Sequence, residues 1–358
     1  MRYELSPKNT VIVRGPASVS LLVGQATILG GLIPLNQPKI IPRQRQSPVE
    51  TENHAEFEIV LGKSGYVFEI QGSSIPASWR QAAATLGQMR EGKVVIVGAS
   101  DVGKSTLCTY LVNKLVQGGQ SVSLVDADIG QTDLGPPSTI AHAIGTQPIT
   151  SLQELTVDRR LFIGDISPSG VERRLIRDIQ RLSSGNGKSL TIVNTDGWIA
   201  DLAAMLYKTN LLTEVKPDLV LALAYSNELE SILGNTRFHA LKIDASKEAL
   251  ERSRVDRRAI RTDGYRRFLE GATTHTIDLK KTQLFLPPLD RTDIVSDRAL
   301  RNLILGIFDA EGFLAEIGIL MDVEGQVAKI YSRAMGVFSH IAVGYVKLST
   351  SGREIGFL

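Results

Sequence analysis

The chain is short of several things, and each shortage removes a class of answer. Of its 358 residues only one is cysteine, so neither an intrachain disulfide framework nor a cysteine-built zinc site is open to it. That residue, Cys108, reads as a small buried side chain on a helix. The histidines His54, His142, His239, His275 and His340 are scattered without metal-ligand spacing, and no G-x-S-x-G nucleophile elbow is present. A net charge of +2 gives no global nucleic-acid signal, so any basic surface must be local. No apolar run approaches the ~18 residues of a membrane span, and the opening MRYELSPKNT is polar rather than signal-like. The expectation from these absences is a cytoplasmic protein with no membrane contact.

What is present reads as three segments, a length suited to more than one domain. Residues 1–85 hold short alternating or β-branched runs, NTVIVRG, SVSLLVG, QATILGG, AEFEIVLG and SGYVFEIQG, each closed by glycine or a polar turn. They predict a small β-sandwich or barrel, with NQPKIIPRQRQSPVETENH as an exposed loop or strand excursion. IPASWRQAAATLGQMREG is a helical connector. From Lys93 the pattern changes to apolar strands, KVVIVG, SVSLVDAD, RLFIGD, SLTIVNTDGW and DLVLALAY, alternating with helices. That alternation predicts a mainly parallel sheet covered on both faces, within a central domain at 86–280. After LFLPPLDRTD, residues 281–358 return to short strands joined by DAEG, DVEG and TSG turns, a second small β-rich domain. The expected fold class is therefore α/β: a central P-loop NTPase domain flanked by β-rich N- and C-terminal domains.

The central motif is Gly98-Ala99-Ser100-Asp101-Val102-Gly103-Lys104-Ser105, which fits G-x-x-x-x-G-K-[ST] between a strand and a helix. Gly98 and Gly103 allow the backbone to turn successive N–H groups inward, and the helix N-terminus adds partial positive charge at the same point. Lys104 would reach the β- and γ-phosphates of ATP, the Ser105 hydroxyl would ligate Mg²⁺, and Thr106 would touch the α-phosphate. The next strand ends in Asp126 and Asp128. Alternation lets only one of them face the P-loop. There a carboxylate can hold Mg²⁺ through water or accept a proton from an attacking hydroxyl, and a solvated turn is the plain alternative.

These residues resemble the polynucleotide 5′-hydroxyl kinases, the family of the pre-mRNA cleavage-complex kinase and the nucleolar ribosomal-RNA-processing kinase, with archaeal relatives. GASDVGKST and DADIGQ carry the likeness. GDISPSG is similar to the family's G-x-[ST]-[ST]-P element, VNTDGW to its N-T-x-G-W clasp, and ERSRVDRRAIR to its arginine-rich lid. The resemblance implies phosphoryl transfer from ATP, with Mg²⁺, to the 5′-hydroxyl end of RNA, and of DNA as a second acceptor. It implies catalytic roles for Lys104, Asp128, Arg252, Arg257 and Arg261, with Asp128 activating the hydroxyl and also named with Ser105 at the metal. Gln131, Ser167 and Trp198 correspond to residues near the acceptor end. GDISPSG departs from the family pattern in Asp165-Ile166.

The residues support those assignments on their own terms. Arginine neutralises a phosphoryl group in transit with several fixed donors, and 254, 257, 258 and 261 share one helical face. With only Asp256 and Asp263 as acids, that segment does not neutralise itself; a solvated basic helix is the bland alternative. Trp198 after Gly197 suits either a base-stacking ring or buried packing. Two competing classes remain: a nucleotide-bound, non-catalytic scaffold of an RNA-processing complex, and a GTPase, against which stands the lack of an N-K-x-D or T-K-x-D motif.

Overall fold

The computed structural model describes residues 1–184, 189–234, 238–287, 297–334, 336 and 338–358. Its main helices are α1 (Ala77–Gln88), α2 (Lys104–Gln117), α3 (Glu172–Ser183), α4 (Leu202–Val215), α5 (Glu230–Leu233) and α6 (Arg254–Leu269). The chain divides into two compact units. The first is Met1–Leu124, Ala143–Thr156 and Ser183–Ser253; the second is Val125–His142, Val157–Leu182 and Arg254–Leu358.

The first unit begins with antiparallel β-structure. One sheet orders Arg2–Leu5, Ala55–Leu61, Ala17–Val23 and Lys39–Ile41; the other orders Gly31–Leu32, Thr27–Ile28, Gln46–Glu50, Asn9–Arg14 and Tyr66–Gln71. The segment expected as an exposed loop or strand excursion supplies two of these strands. Gln46–Glu50 lies inside its sheet, with Pro48 opposite Ile12 and Ser47, Pro48 and Val49 all buried. Burial on both faces has overridden a composition that argued against a strand.

In the same unit Gly92–Val97 lies between Leu190–Thr195 and Leu219–Ala224, and Ala240–Asp244 pairs beyond the latter, all parallel. These strands are apolar because helices cover a parallel sheet on both faces. Val94, Val95, Ile96 and Val97 are completely buried, as are Leu107 and Leu111 on α2. The connector helix forms α1, whose buried Trp79 donates from its indole to the Asp244 carbonyl at 2.8 Å. Ala240–Asp244 and Thr139–Gly145 are strands that the sequence reading did not anticipate.

The second unit is built on one sheet in the order Thr273–Asp278, Val327–Ser332, Leu314–Glu324, Leu303–Phe308, His340–Leu348 and Gln283–Phe285, with Glu354–Phe357 pairing His340–Leu348. The DAEG, DVEG and TSG turns close antiparallel pairs as expected. Part of the expected border, 288–293, lies outside the described residues. Helix α6 is anchored here by Tyr265 and Leu269, packed with Phe162, Ile304 and Phe308. The Tyr265 hydroxyl meets Ser138 Oγ at 2.8 Å, and burial pushes its ionisation well above the ordinary phenol range.

One close approach fixes this unit's catalytic-side loop. The Tyr345 N–H donates to the Gly164 carbonyl at 2.7 Å. A Cβ on Gly344 would stand 2.5 Å from that oxygen and 2.7 Å from the Gly164 Cα. Backbone atoms cannot swing aside, so Gly344→Ala is expected to lose about 1–3 kcal/mol of stability in urea denaturation. Gly87→Ala, on α1 with open space around it, is expected to gain about 0.5–1 kcal/mol; equal effects at the two glycines would contradict this packing argument.

Candidate active site

The phosphate cradle lies in the first unit. Strand Gly92–Val97 delivers the chain to Gly98, where a Cβ would sit 2.4 Å from the Leu223 carbonyl oxygen. The loop leaves through Gly103, whose φ of 101° is left-handed and which forms the N-cap of α2. Only glycine takes both positions without strain. The amide groups at the start of α2 are therefore turned toward the loop, as an anion site requires. Lys104 is 6% exposed, and its ammonium donates to the carbonyls of Gly98 and Ala99 at 3.0 and 2.7 Å. Ser105 Oγ accepts from Asn194 Nδ2 at 3.3 Å. Ala99, Ser100, Asp101, Val102 and Thr106 complete the expected set along this turn and the first turn of α2.

The VNTDGW segment packs on the same loop. A Cβ on Gly197 would come within 2.6 Å of the Ser100 Cα and 2.5 Å of its nitrogen, so this glycine is set by contact with the cradle. Asp196 beside it organises the partly buried Trp198. One Asp196 oxygen accepts the Trp198 backbone N–H at 2.9 Å; the other accepts the Tyr207 hydroxyl at 2.8 Å and the Lys208 ammonium at 2.8 Å. Lys208 has no exposed side-chain surface. The Trp198 ring stacks on Tyr207 at 5.9 Å and 26°, and its indole N–H donates to Asp201, the N-cap of α4. Those donors, Ala204 N–H first and the indole second, hold the Asp201 carboxyl below its ordinary range.

Apart from Arg252, the second unit holds the other expected residues. Asp126 is completely buried, and its Oδ2 accepts from Thr132 Oγ1 at 2.9 Å and from the Asp133 N–H at 2.6 Å. Burial, then the Asp133 carboxylate, pushes Asp126 up to about 7. Its work is to shape the 132–134 loop. Asp128, beyond the strand end, accepts from the Gly130 and Gln131 N–H groups at 3.2 and 3.0 Å. Gln131 Nε2 in turn donates to the Gly130 carbonyl at 2.8 Å and reaches the Arg257 carbonyl at 3.4 Å. A Cβ on Gly130 would stand 2.7 Å from the Ile166 carbonyl, so the Asp128 turn lies against the Asp165–Gly170 loop. There Asp165 accepts from the Ile166 and Ser167 N–H groups at 2.6 and 3.1 Å, and burial raises its carboxyl. The departure from the family pattern is a loop-shaping carboxylate, and it leaves the Ser167 side chain exposed.

The arginines are less independent than their local sequence suggests. Arg252 Nη1 meets Asp101 Oδ1 at 3.1 Å, its backbone N–H meets Asp101 Oδ2 at 3.2 Å, and its Nε donates to the Gln44 carbonyl at 3.2 Å. Arg261 grips Glu354 with both Nε and Nη2, the latter at 3.0 Å, and Arg258 donates to the Glu354 carbonyl. The expectation that the segment escapes neutralisation is thus corrected: its acids come from elsewhere in the chain, Asp101 and the buried Glu354.

No cluster of three or more His, Cys, Asp or Glu among the described residues is placed to hold a metal. Mg²⁺ at a nucleotide needs none, taking one or two protein oxygens together with phosphates and water.

Residues 98–271 match the family model of the mRNA cleavage and polyadenylation factor CLP1 P-loop. A polyribonucleotide 5′-hydroxyl-kinase of Pyrococcus horikoshii is 26% identical over 341 residues, covering 80% of this chain and 94% of its own. One from Pyrococcus furiosus is 34% identical over 197 residues, 54% of this chain and 55% of its own. Over these spans the chain is similar to the polynucleotide 5′-hydroxyl kinases. Among solved structures, that of wild-type Clp1p with a Pcf11p fragment superposes with a TM-score of 0.73 at 13% identity, over 97% of this chain and 98% of that one. This likeness extends the family fold over both β-rich flanks.

Sequence reasoning about this kinase passed over Asp196, Tyr207, Lys208 and Glu354. A lysine on a helix is expected outside, and nothing local marks Lys208 as buried. Removing one partner of a buried pair strands the other's charge. Lys208→Met is therefore expected to cost about 3–5 kcal/mol in chemical denaturation, with partial recovery when Asp196→Asn is added. Independent, additive losses would contradict the pairing.

Proposed function

We infer that this chain is a polyribonucleotide 5′-hydroxyl kinase: it moves the γ-phosphoryl group of ATP to the 5′-hydroxyl of RNA. The observation that carries this reading is the cradle at Gly98–Thr106, with Lys104 turned onto the loop at the N-terminus of α2. The relatives named as polyribonucleotide 5′-hydroxyl-kinases over most of the chain supply the acceptor. The scaffold reading has no observation of its own.

In the reaction a bond forms between the RNA 5′ oxygen and the γ-phosphorus, and the bond from that phosphorus to the β,γ-bridging oxygen breaks to release ADP. The hydroxyl proton passes to Asp128, whose direction is fixed by the turn donors at Gly130 and Gln131. Lys104 and the amides of the loop take the β- and γ-phosphate charge. Ser105 and Asp128 would hold Mg²⁺, which would neutralise charge on the phosphate oxygens. Arg252, Arg257 and Arg261 stabilise the charge spread over the group in transit. Gln131, Ser167 and Trp198 receive the terminal nucleotide, Trp198 by stacking. We propose that DNA ends are accepted as well, as the 5′-hydroxyl itself is common to both nucleic acids. We further propose that the functional division is 1–85, 86–280 and 281–358, and that the reaction runs in the cytoplasm, where ATP and RNA meet. No helix among the described residues is long and apolar enough to cross a membrane.

The test is transfer of labelled γ-phosphate from ATP to 5′-hydroxyl RNA and DNA oligonucleotides. Asp128→Asn is expected to lower kcat by about 10²–10⁴-fold while ATP affinity stays within a few-fold, and Lys104→Ala to lose transfer. Tight ATP binding with no label on any acceptor would move the case to the scaffold; normal turnover by Asp128→Asn would end the base assignment.

A further inference from the structure

Helix α3 leaves directly from the loop that carries Ser167, and one of its faces is a row of arginines. Arg174, Arg177 and Arg181 are spaced i, i+3 and i+7, which sets them on one side over roughly 10 Å of helix. They line a cleft of about 640 Å³ in the second unit, together with Phe285, Phe308 and His340.

The arginines are held in place. Asp178, 11% exposed at its side chain, meets the Arg174 Nε at 3.7 Å and the Arg177 Nε at 3.2 Å. The Arg177 side chain is nonetheless 70% exposed. Arg181 donates to the carbonyls of Glu311 and Gly312 at 3.2 and 3.3 Å and lies over the Phe313 ring at 4.3 Å. Arg159 covers the same ring at 5.0 Å. Against these cations the cleft lining offers two carboxylates, Asp178 and Glu311.

The facing wall is aromatic. His340 stacks on Phe308 at 4.3 Å and 14°, and Phe285 stands edge-on to His340 at 5.2 Å and 89°. Phe285 is 45% exposed. Burial lowers the His340 ionisation, so near neutral pH it presents a neutral ring. Guanidinium groups along one side and ring faces along the other are the complement of a strand carrying phosphates and unpaired bases. An acidic peptide would use the arginines and leave the rings without partners.

We propose that this cleft holds the acceptor RNA downstream of its 5′ end, its phosphates on the α3 arginines and its bases against Phe285 and His340. The identity of the strand rests on the kinase reading; the surface itself does not. It extends recognition beyond the terminal nucleotide and makes the enzyme sensitive to acceptor length.

Binding of 3′-labelled, single-stranded 5′-hydroxyl RNA is measured by fluorescence anisotropy without ATP, for a 12-mer and a dinucleotide. The comparison is between the full-length chain, Arg177→Glu and Phe285→Ala, both at exposed positions. Each variant is expected to weaken 12-mer binding about 10-fold, the scale of one lost stacked base or charge contact. Arg177→Glu should also flatten the salt dependence by about 0.7 or more in log–log slope. KM for the dinucleotide and for ATP should not move. Unchanged 12-mer binding in both variants overturns the proposal and leaves the cleft to a protein partner. Equal losses for 12-mer and dinucleotide also overturn it, because the effect would then lie at the 5′ end. If no acceptor is phosphorylated but the variants still lose 12-mer binding, the kinase reading fails and the RNA track stands.

Discussion

The turn between Val97 and Lys104 is the constraint on which the first unit depends. A backbone that points several amides at one anion must abandon both strand and helix geometry for a few residues, and in isolation such a turn has no reason to persist. Here it is held from three directions. The Leu223 carbonyl stands where a side chain on Gly98 would begin, and Gly197 brings the VNTDGW backbone against Ser100. Asp101, itself at a positive φ of 64°, is tied to Arg252. The parallel strands on either side are buried and apolar so that these contacts are made by rigid neighbours. An anion site of this kind is made before the anion arrives, which is the condition for charge stabilisation without reorganisation.

Charged side chains elsewhere serve mostly to place other groups. Asp126 is consumed by the 132–134 loop, Asp165 by its own turn, Asp196 by Trp198, Tyr207 and Lys208, and Glu354 by Arg258 and Arg261. Burying such groups is unfavourable unless they are answered by donors, and each of these carboxylates is met by two or more donors or by a cation. The adjacent Asp126 and Asp128 show the rule at work. The buried member is engaged by loop donors and its charge is disfavoured, while the partly exposed member is oriented by the two N–H groups of its own turn.

The cradle was legible because its signal is local: buried β-branched residues, two glycines at fixed spacing and a lysine opening a helix. The same holds for the C-terminal hairpins, whose DAEG and DVEG turns join alternating strands. Gln46–Glu50 was not legible, because its place inside a sheet comes from Asn9–Arg14 and Thr27–Ile28, and Pro48 argued the other way. Lys208 fails for a related reason: a charge on a helix looks solvated until the Asp196 carboxylate appears from a neighbouring strand end. The acids that engage the lid arginines lie 151 residues away at Asp101 and 93 residues away at Glu354. No window of sequence contains both partners.

Those distant acids bear on how the arginines can act. A guanidinium has five N–H donors, and Arg252 directs its Nε and an Nη1 to protein oxygens. Engagement with Asp101 therefore orients the group. A carboxylate partner also partly cancels the positive charge that an incoming triphosphate would feel, which weakens ground-state binding. In the proposed reaction, charge that develops on the phosphoryl oxygens during transfer meets a guanidinium whose direction is already fixed. On that proposal the arrangement favours the transition state over the bound ATP, the only kind of binding that accelerates the step. A lid of unpaired arginines would hold ATP more tightly and gain nothing in rate.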